Sequence, residues 1–161
     1  MGDDTLRSIH FERTQNSKYV VHNKRGGTLS VGSGGPDDTD FTPVELLLAA
    51  IGACSAIDVD VVTSRRSEPA EFSAVVSGDK LRDPEEGNRL ENLKVEFTIT
   101  FAEGEDGDKA RGALQRAVKM SHDRLCTVSR TVELGTPIAV DLNHGELTIT
   151  PDARPADPSS D

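Results

Sequence analysis

With 161 residues and 28 acidic against 18 basic side chains, the chain carries a formal net charge of −10. A field of that sign repels phosphate, which excludes non-specific attraction to nucleic acid or to an anionic lipid surface and leaves basic partners or small neutral substrates open. That length suits one domain, expected over residues 1–150, with enough core to need no disulfide staples.

Met1-Gly2-Asp3-Asp4-Thr5 lacks the basic-then-apolar order of a signal peptide, and the one long apolar run, Val44 to Val62, is interrupted by Glu45, Asp58 and Asp60. The sequence therefore predicts neither leader nor membrane span. It predicts a cytoplasmic protein, in which a structural disulfide is out of place. The tail 151–161 has the composition of a disordered end.

The first third reads as short strands. Ile9 and Phe11 alternate with polar residues between Arg7 and Arg13, Tyr19-Val20-Val21 lies within Lys18 to Asn23, and Thr28 to Val31 follows the turn signal Arg25-Gly26-Gly27. A three-stranded meander fits. The glycine- and aspartate-rich stretch from Gly32 to Asp40 then reads as a surface loop.

Thr42-Pro43-Val44-Glu45 is a capping-box pattern, with Thr42 as N-cap, proline in the first helical position and Glu45 reaching back to the cap. Phe41 and Leu46 suit a hydrophobic staple. The run continues to Arg65 or Arg66, about 24 residues and about 36 Å of helix. It is apolar on nearly every face through Ile57, as a helix buried on all sides requires. This is the expected central helix, closed before Pro69, with Arg65 and Arg66 as favourable charge at its C-terminus.

Phe72, Ala74 and Val76 then alternate with Glu71, Ser73 and Val75, and Asp83 to Asn88 is a polar turn. In the clearest strand Leu93, Val95, Phe97, Ile99 and Phe101 face one way and Lys94, Glu96, Thr98 and Thr100 the other. Asp106 is the expected cap of a second helix, Gly107 to Ser121, whose Ala110, Ala113, Leu114, Ala117 and Val118 make a stripe at helical spacing. A further short helix is expected at or beside Cys126. Two last strands, Pro137 to Leu142 and Gly145 to Thr150, are joined through Asn143-His144-Gly145. The class is α+β, and no internal repeat is visible.

The chain has two cysteines, Cys54 inside the apolar run and Cys126 in His122-Asp123-Arg124-Leu125-Cys126-Thr127-Val128-Ser129. They are either a redox couple or two packed core residues. As a couple, a thiolate at Cys54 attacks an electrophile such as a peroxide oxygen, and Cys126 condenses with the sulfenic acid. As core residues they follow the general habit of free cysteine, which is among the most buried residue types. The dipole of Cys54's own helix gives no help about three turns from the N-terminus, and Asp58 one turn on raises the thiol pKa if it faces the same pocket.

The segment Thr42-Pro43-x-Glu45-Leu46-Leu47-Leu48-Ala49-Ala50-x-Gly52-x-Cys54, followed by Leu125-Cys126-x-Val128-Ser129, resembles the OsmC/Ohr family. The likeness extends from about Ile9 to Leu142. It implies an intertwined homodimer with antiparallel sheets wrapped around two central helices, and a cytosolic thiol-dependent peroxidase that reduces organic hydroperoxides. It further implies Cys54 as the peroxidatic thiol, Cys126 as the resolving thiol, and a dithiol reductant such as a lipoyl or small-molecule dithiol.

The family pattern also includes a glutamate and an arginine that hold the reactive thiolate. In the best-studied branch the glutamate lies ten residues before the cysteine, which is Val44 here. Glu45 is one residue later, about 100° round the helix, and as a catalytic residue it competes with its own capping role. In its Pro-x-Glu-Leu and Cys-Ser-x-Ile-Asp segments the chain resembles the divergent OsmC-like branch. The arginine of the loop between the first two strands corresponds to Arg13, with Arg25 as the substitute, and either guanidinium lowers a thiol pKa only at short range.

Other chemistry has little support. His10, His22, His122 and His144 are scattered without metal-ligand spacing, the glycine pairs precede no Lys-Ser/Thr, and no Ser-His-Asp order stands out, so no cofactor or metal is expected. Hydroperoxide reduction is the leading expectation. The alternatives are a non-enzymatic stress protein whose pocket holds a small apolar ligand, and a redox sensor using the same disulfide.

Overall fold

The computed structural model describes residues 5–143 and 145–150. Its elements run β1 (Ile9–Gln15), β2 (Lys18–Asn23), β3 (Thr28–Val31), α1 (Pro43–Thr63), β4 (Pro69–Leu81), β5 (Arg89–Phe101), α2 (Glu105–Met120), a π-helical turn (Ser121–Leu125), α3 (Thr127–Leu134), β6 (Val140–Leu142) and β7 (Leu147–Ile149). The class is α+β as expected. The expected tail and His144 lie outside the described residues.

The strands form three separate antiparallel sheets: the meander β1-β2-β3, the long hairpin β4-β5 and the short pair β6-β7. Arg13 is a member of β1, opposite Tyr19, and not a loop residue as its neighbours Thr14 to Asn16 suggest; the turn is confined to Asn16 and Ser17. Ser17 adopts a left-handed conformation at φ 56°, which makes so tight a connection feasible. The hairpin β4-β5 is longer than the sequence signals. Asp83 Oδ1 accepts from the N–H groups of Glu85 and Glu86 at 2.8 and 2.9 Å and closes its turn. The alternation in β5 holds from Val95 on, with Val95, Phe97 and Ile99 half-buried, Phe101 buried, and Glu96, Thr98 and Thr100 exposed, whereas Leu93, expected on the same face, is exposed. Phe72 meets Phe97 edge-on at 6.0 Å between ring centres.

Helix α1 starts where the capping box places it. Glu45 N donates to Thr42 Oγ1 at 3.3 Å, and Glu45 Oε2 accepts from Thr42 N at 2.7 Å. It ends at Thr63, short of the expected arginines. Thr63 Oγ1 bonds back to the Val59 carbonyl at 3.0 Å and Ser64 Oγ to Asp60 Oδ1 at 2.6 Å, side-chain bonds that compete with continuing the helix. Pro69 opens β4 and does not terminate the helix. Arg66 nevertheless serves the C-terminus, donating to the Val62 carbonyl at 2.7 Å. The second helix is capped by Gly104 and not by Asp106. The chain must turn sharply out of β5, and Gly104 takes φ 118°, a conformation costly for other residues.

The core lies where α1 packs against α2, α3 and the inner face of β4-β5. Val59, Ala110 and Ala117 are fully buried there. Gly52 sets the approach of helix and hairpin, since a Cβ at that position meets Val76 Cγ2 at 2.6 Å. Valine is stiff at χ1, so the contact is relieved only by moving β4. Gly52→Ala is expected to destabilise the fold by about 1–3 kcal/mol, measured by urea unfolding; an unchanged midpoint would show that the hairpin backs away freely.

Two surfaces are left uncovered. The meander touches the rest of the chain only slightly, and every residue of β1 is exposed, including Ile9 and Phe11. Helix α1, with 21 residues and a mean hydropathy of 1.9, is long and apolar enough to cross a membrane by length and composition alone, yet only 22% of its apolar window is buried. Its Leu47, Ile57 and Val61 face outward.

Candidate functional site

The site forms where α2 gives way to α3. The π-helical turn adds a residue to the helical spiral and is closed by Cys126 N donating to the Ser121 carbonyl at 2.9 Å. The buried Ser121 then ties this turn to the central helix, donating through Oγ to Asp58 Oδ2 at 2.9 Å. Cys126 leaves the turn in an extended conformation (φ −67°, ψ 95°) and becomes the N-cap of α3. A sulfur thus occupies the place usually held by a serine or aspartate oxygen.

Both thiols meet at this helix N-terminus and are free. Cys54, half-buried on α1, faces the Val128 N–H, which favours its thiolate, and Cys126 takes a hydrogen bond from the Ser129 N–H at 3.3 Å. The two thiols lie close enough to act on each other's ionisation. The N-terminal dipole that α1 does not offer to Cys54 is therefore supplied by α3, one turn of which serves both sulfurs.

The two environments differ. Burial pushes the Cys54 thiol up from its ordinary value, and although the Val128 N–H opposes this, the neighbouring Cys126 and Asp58 reinforce it. Cys126 is wholly buried, which also works against ionisation. Its hydrogen bonds with Ser129 and Ser55 outweigh that burial, and its pKa is lowered. Ser55 Oγ lies 3.5 Å and Ser129 Oγ 3.1 Å from Cys126 Sγ.

Below the thiols lies a cavity of about 230 Å³ walled mainly by apolar side chains, among them Ile51, Val95, Phe97 and Val118. Ser55 and Ser129 form part of its wall; the two sulfurs do not.

The remaining expected site residues lie elsewhere. The carboxylate of Glu45 accepts from both the backbone N–H and the hydroxyl of Thr42, and these bonds hold its pKa below the usual carboxylate range. Glu45→Gln keeps a side chain able to complete the box, whereas Glu45→Ala removes that half of it and is expected to lower the melting temperature. With a depressed folded-state pKa, the carboxylate stabilises the fold above the ordinary glutamate range, and that contribution fades as pH falls through the lower folded value. Thermal melts of both variants between pH 3 and 7 check this. Equal losses in Gln and Ala would give Glu45 another role.

Arg13, on the exposed β1, is not brought to Cys54 within one chain, and the groups that act most strongly on that thiol include no arginine. Arg25 lies in the exposed β2–β3 turn, its backbone N–H bonded to Asn23 Oδ1. His122, exposed beside Asp123 and Glu133, lines part of the cavity wall, and no cluster able to hold a metal is found among the described residues. Sequence reasoning missed Ser55, Ser129 and the Ser121–Asp58 pair. The Cys126-x-x-Ser129 spacing carries the signal for one of them, since an N-cap side chain accepts from the N–H three residues on.

As a class, this is an α+β protein whose two distant cysteines lie at one helix N-terminus beside a largely apolar cavity. The sequence model of the family described as OsmC-like protein matches residues 35–141. An uncharacterized protein of Mycobacterium tuberculosis is 32% identical over 141 residues, which is 85% of this chain and 96% of that protein. Among solved structures, an OsmC-like protein of Vibrio cholerae aligns at a TM-score of 0.66 with 10% identity, over 80% of this chain and 94% of the other. An organic hydroperoxide resistance protein of Legionella pneumophila aligns at 0.56 with 17% identity, over 79% and 88%. The chain belongs to the OsmC-like protein family.

Proposed function

We propose that the protein reduces organic hydroperoxides with the Cys54–Cys126 pair, as a cytosolic homodimer regenerated by a dithiol. The observation that carries this reading is the meeting of both sulfurs at the first turn of α3, Cys126 taking the Ser129 N–H and Cys54 facing that of Val128. Two inert core cysteines need no such donors. The name of the Legionella relative points to the same substrate class, and the apolar cavity beside the thiols suits the organic part of a hydroperoxide.

In this reading the Cys54 thiolate attacks the distal oxygen, the O–O bond breaks, and the alkoxide takes a proton to leave as alcohol. Cys54 is now a sulfenic acid. The Cys126 thiolate attacks its sulfur, the S–O bond breaks, and hydroxide leaves as the disulfide forms. A dithiol then reduces the disulfide and is itself oxidised to a cyclic disulfide. Arg13 acts on Cys54 as a charge partner only across a dimer, since within one chain it stands on the uncovered meander. Val44 leaves the usual glutamate position apolar, so the α3 N–H groups carry the polar support that Glu45 does not reach.

Free-thiol titration after one equivalent of cumene hydroperoxide tests the reading. Two thiols lost per chain are expected, with turnover once a dithiol is added. Unreacted thiols would overturn it, and a disulfide that no dithiol reopens would mark a sensor.

A further inference from the structure

The OsmC-like resemblance assigns roles to the cysteines but says nothing of the hydroxyls around Cys126. We propose that Ser129 and Ser55 are positioning residues that hold Cys126 as the resting thiolate of the pair, so that the second sulfur is charged before any peroxide arrives. The proposal deepens the hydroperoxide-reductase reading and depends on it for the use made of that charge.

The geometry is a cradle of one backbone N–H and two hydroxyls. Ser129 supplies its N–H at 3.3 Å from the α3 side and Ser55 its hydroxyl at 3.5 Å from α1. The Cys126 thiol donates to Ser129 Oγ at 3.1 Å, a rotatable hydroxyl that turns to donate once the sulfur is ionised. These distances are ordinary for bonds to sulfur, whose radius exceeds that of oxygen. Cys126 has no exposed surface, so a charge there has no water to fall back on and must be met by protein donors.

Several charged groups on the packed elements are engaged elsewhere, and Arg124 on the π-helical turn is exposed. On α1, Asp58 accepts from Ser121. On the π-helical turn, Asp123 is bonded to Lys119, and His122 neighbours Asp123 and Glu133. On α3, Arg130 donates to Glu133 at 2.6 Å. Among the described residues, the sulfur's side-chain hydrogen-bond partners are the hydroxyls of Ser55 and Ser129. Burial works against ionisation, and the donors more than offset it.

The consequence falls on disulfide closure. A thiolate, not a thiol, attacks the Cys54 sulfenic sulfur, and a pre-ionised Cys126 closes the bond without waiting for proton loss in a buried site. Rapid closure also limits the time in which the sulfenic acid is open to further oxidation.

The first test is made without peroxide and without Cys54. In Cys54→Ser the chain has a single thiol, one tyrosine and no tryptophan, so the ultraviolet absorbance of a thiolate reports Cys126 against pH. Its midpoint is expected below the value of about 8.5 for a free cysteine. Ser129→Ala in that background is expected to raise the midpoint by about one pH unit, roughly tenfold less thiolate at neutral pH. Ser55→Ala raises it less, and Ser129→Thr, which keeps the hydroxyl, restores it. In the Cys54-containing protein, Ser129→Ala is expected to slow closure about tenfold at neutral pH and to recover as pH rises.

A parent midpoint at or above that of free cysteine, or one that neither alanine moves, would overturn the proposal. If the midpoints fail to move while peroxide still drives the disulfide, only the serine cradle falls. If they move as expected and peroxide forms no disulfide, the reductase reading falls and the cradle stands.

Discussion

Cys54→Ser is expected to lose hydroperoxide consumption by about a thousandfold or more, the scale on which removing a covalent nucleophile acts. Cys126→Ser is expected to keep the first oxidation and lose the disulfide, leaving a Cys54 sulfenic acid that dimedone traps. The structure sets up a contest between two determinants of this order. Charge favours Cys126, whose thiol is the more readily ionised, while burial, Cys126 and Asp58 push Cys54 up. Access favours Cys54, because it is half-buried and Cys126 has no exposed surface. Each unit of pKa changes the thiolate fraction tenfold and leaves the nucleophile usable, whereas a sulfur that no peroxide oxygen reaches does not react at all. Access therefore decides, and Cys54 attacks first. The first-step rate in Cys126→Ser should climb as pH rises toward the raised Cys54 pKa. Stopped-flow oxidation of the single-cysteine variants reads both points. A Cys54→Ser protein that consumes peroxide at the wild-type rate would reverse the roles.

The parts of the fold written in local pattern were legible. Thr42 to Glu45 specify a helix start because each residue has a near neighbour to satisfy, and the alternation of β5 specifies a half-buried strand because its period matches the pleat. The helix end was less legible, since Thr63 bonds to a backbone carbonyl and Ser64 to the Asp60 side chain without a glycine or proline to mark the stop. At the site, Cys54 and Cys126 were visible from their flanking motifs. What they share was not. The N–H groups of Val128 and Ser129 reach the two sulfurs only because the π-helical turn re-aims α3 toward α1, and a one-residue insertion of that kind leaves no composition signal. Ser55 reads as an ordinary helix serine until the far end of the chain folds onto it.

Phe11→Asp and Ile57→Asp are each expected to convert a dimer into a monomer while leaving the single-chain fold intact. Phe11 is 51% and Ile57 63% exposed in one chain, so an aspartate at either position costs the isolated subunit little. In the proposed homodimer the same residues are covered, and an unpaired carboxylate buried at an interface costs several kcal/mol. About 3 kcal/mol already weakens association more than a hundredfold. The need for such cover is physical. An apolar helix with 22% of its window buried, and a meander strand that exposes Ile9 and Phe11, leave many large apolar side chains open to solvent. Sedimentation equilibrium of the wild type should give twice the chain mass without detergent, and the variants one chain mass with unchanged far-ultraviolet circular dichroism. Because Arg13 stands on the same exposed strand as Phe11, Phe11→Asp should also slow peroxide reduction about as much as Arg13→Ala, and combining the two should add little further loss. A wild-type monomer that stays soluble, or variants that remain dimeric, would remove the dimer and with it the route by which Arg13 reaches Cys54.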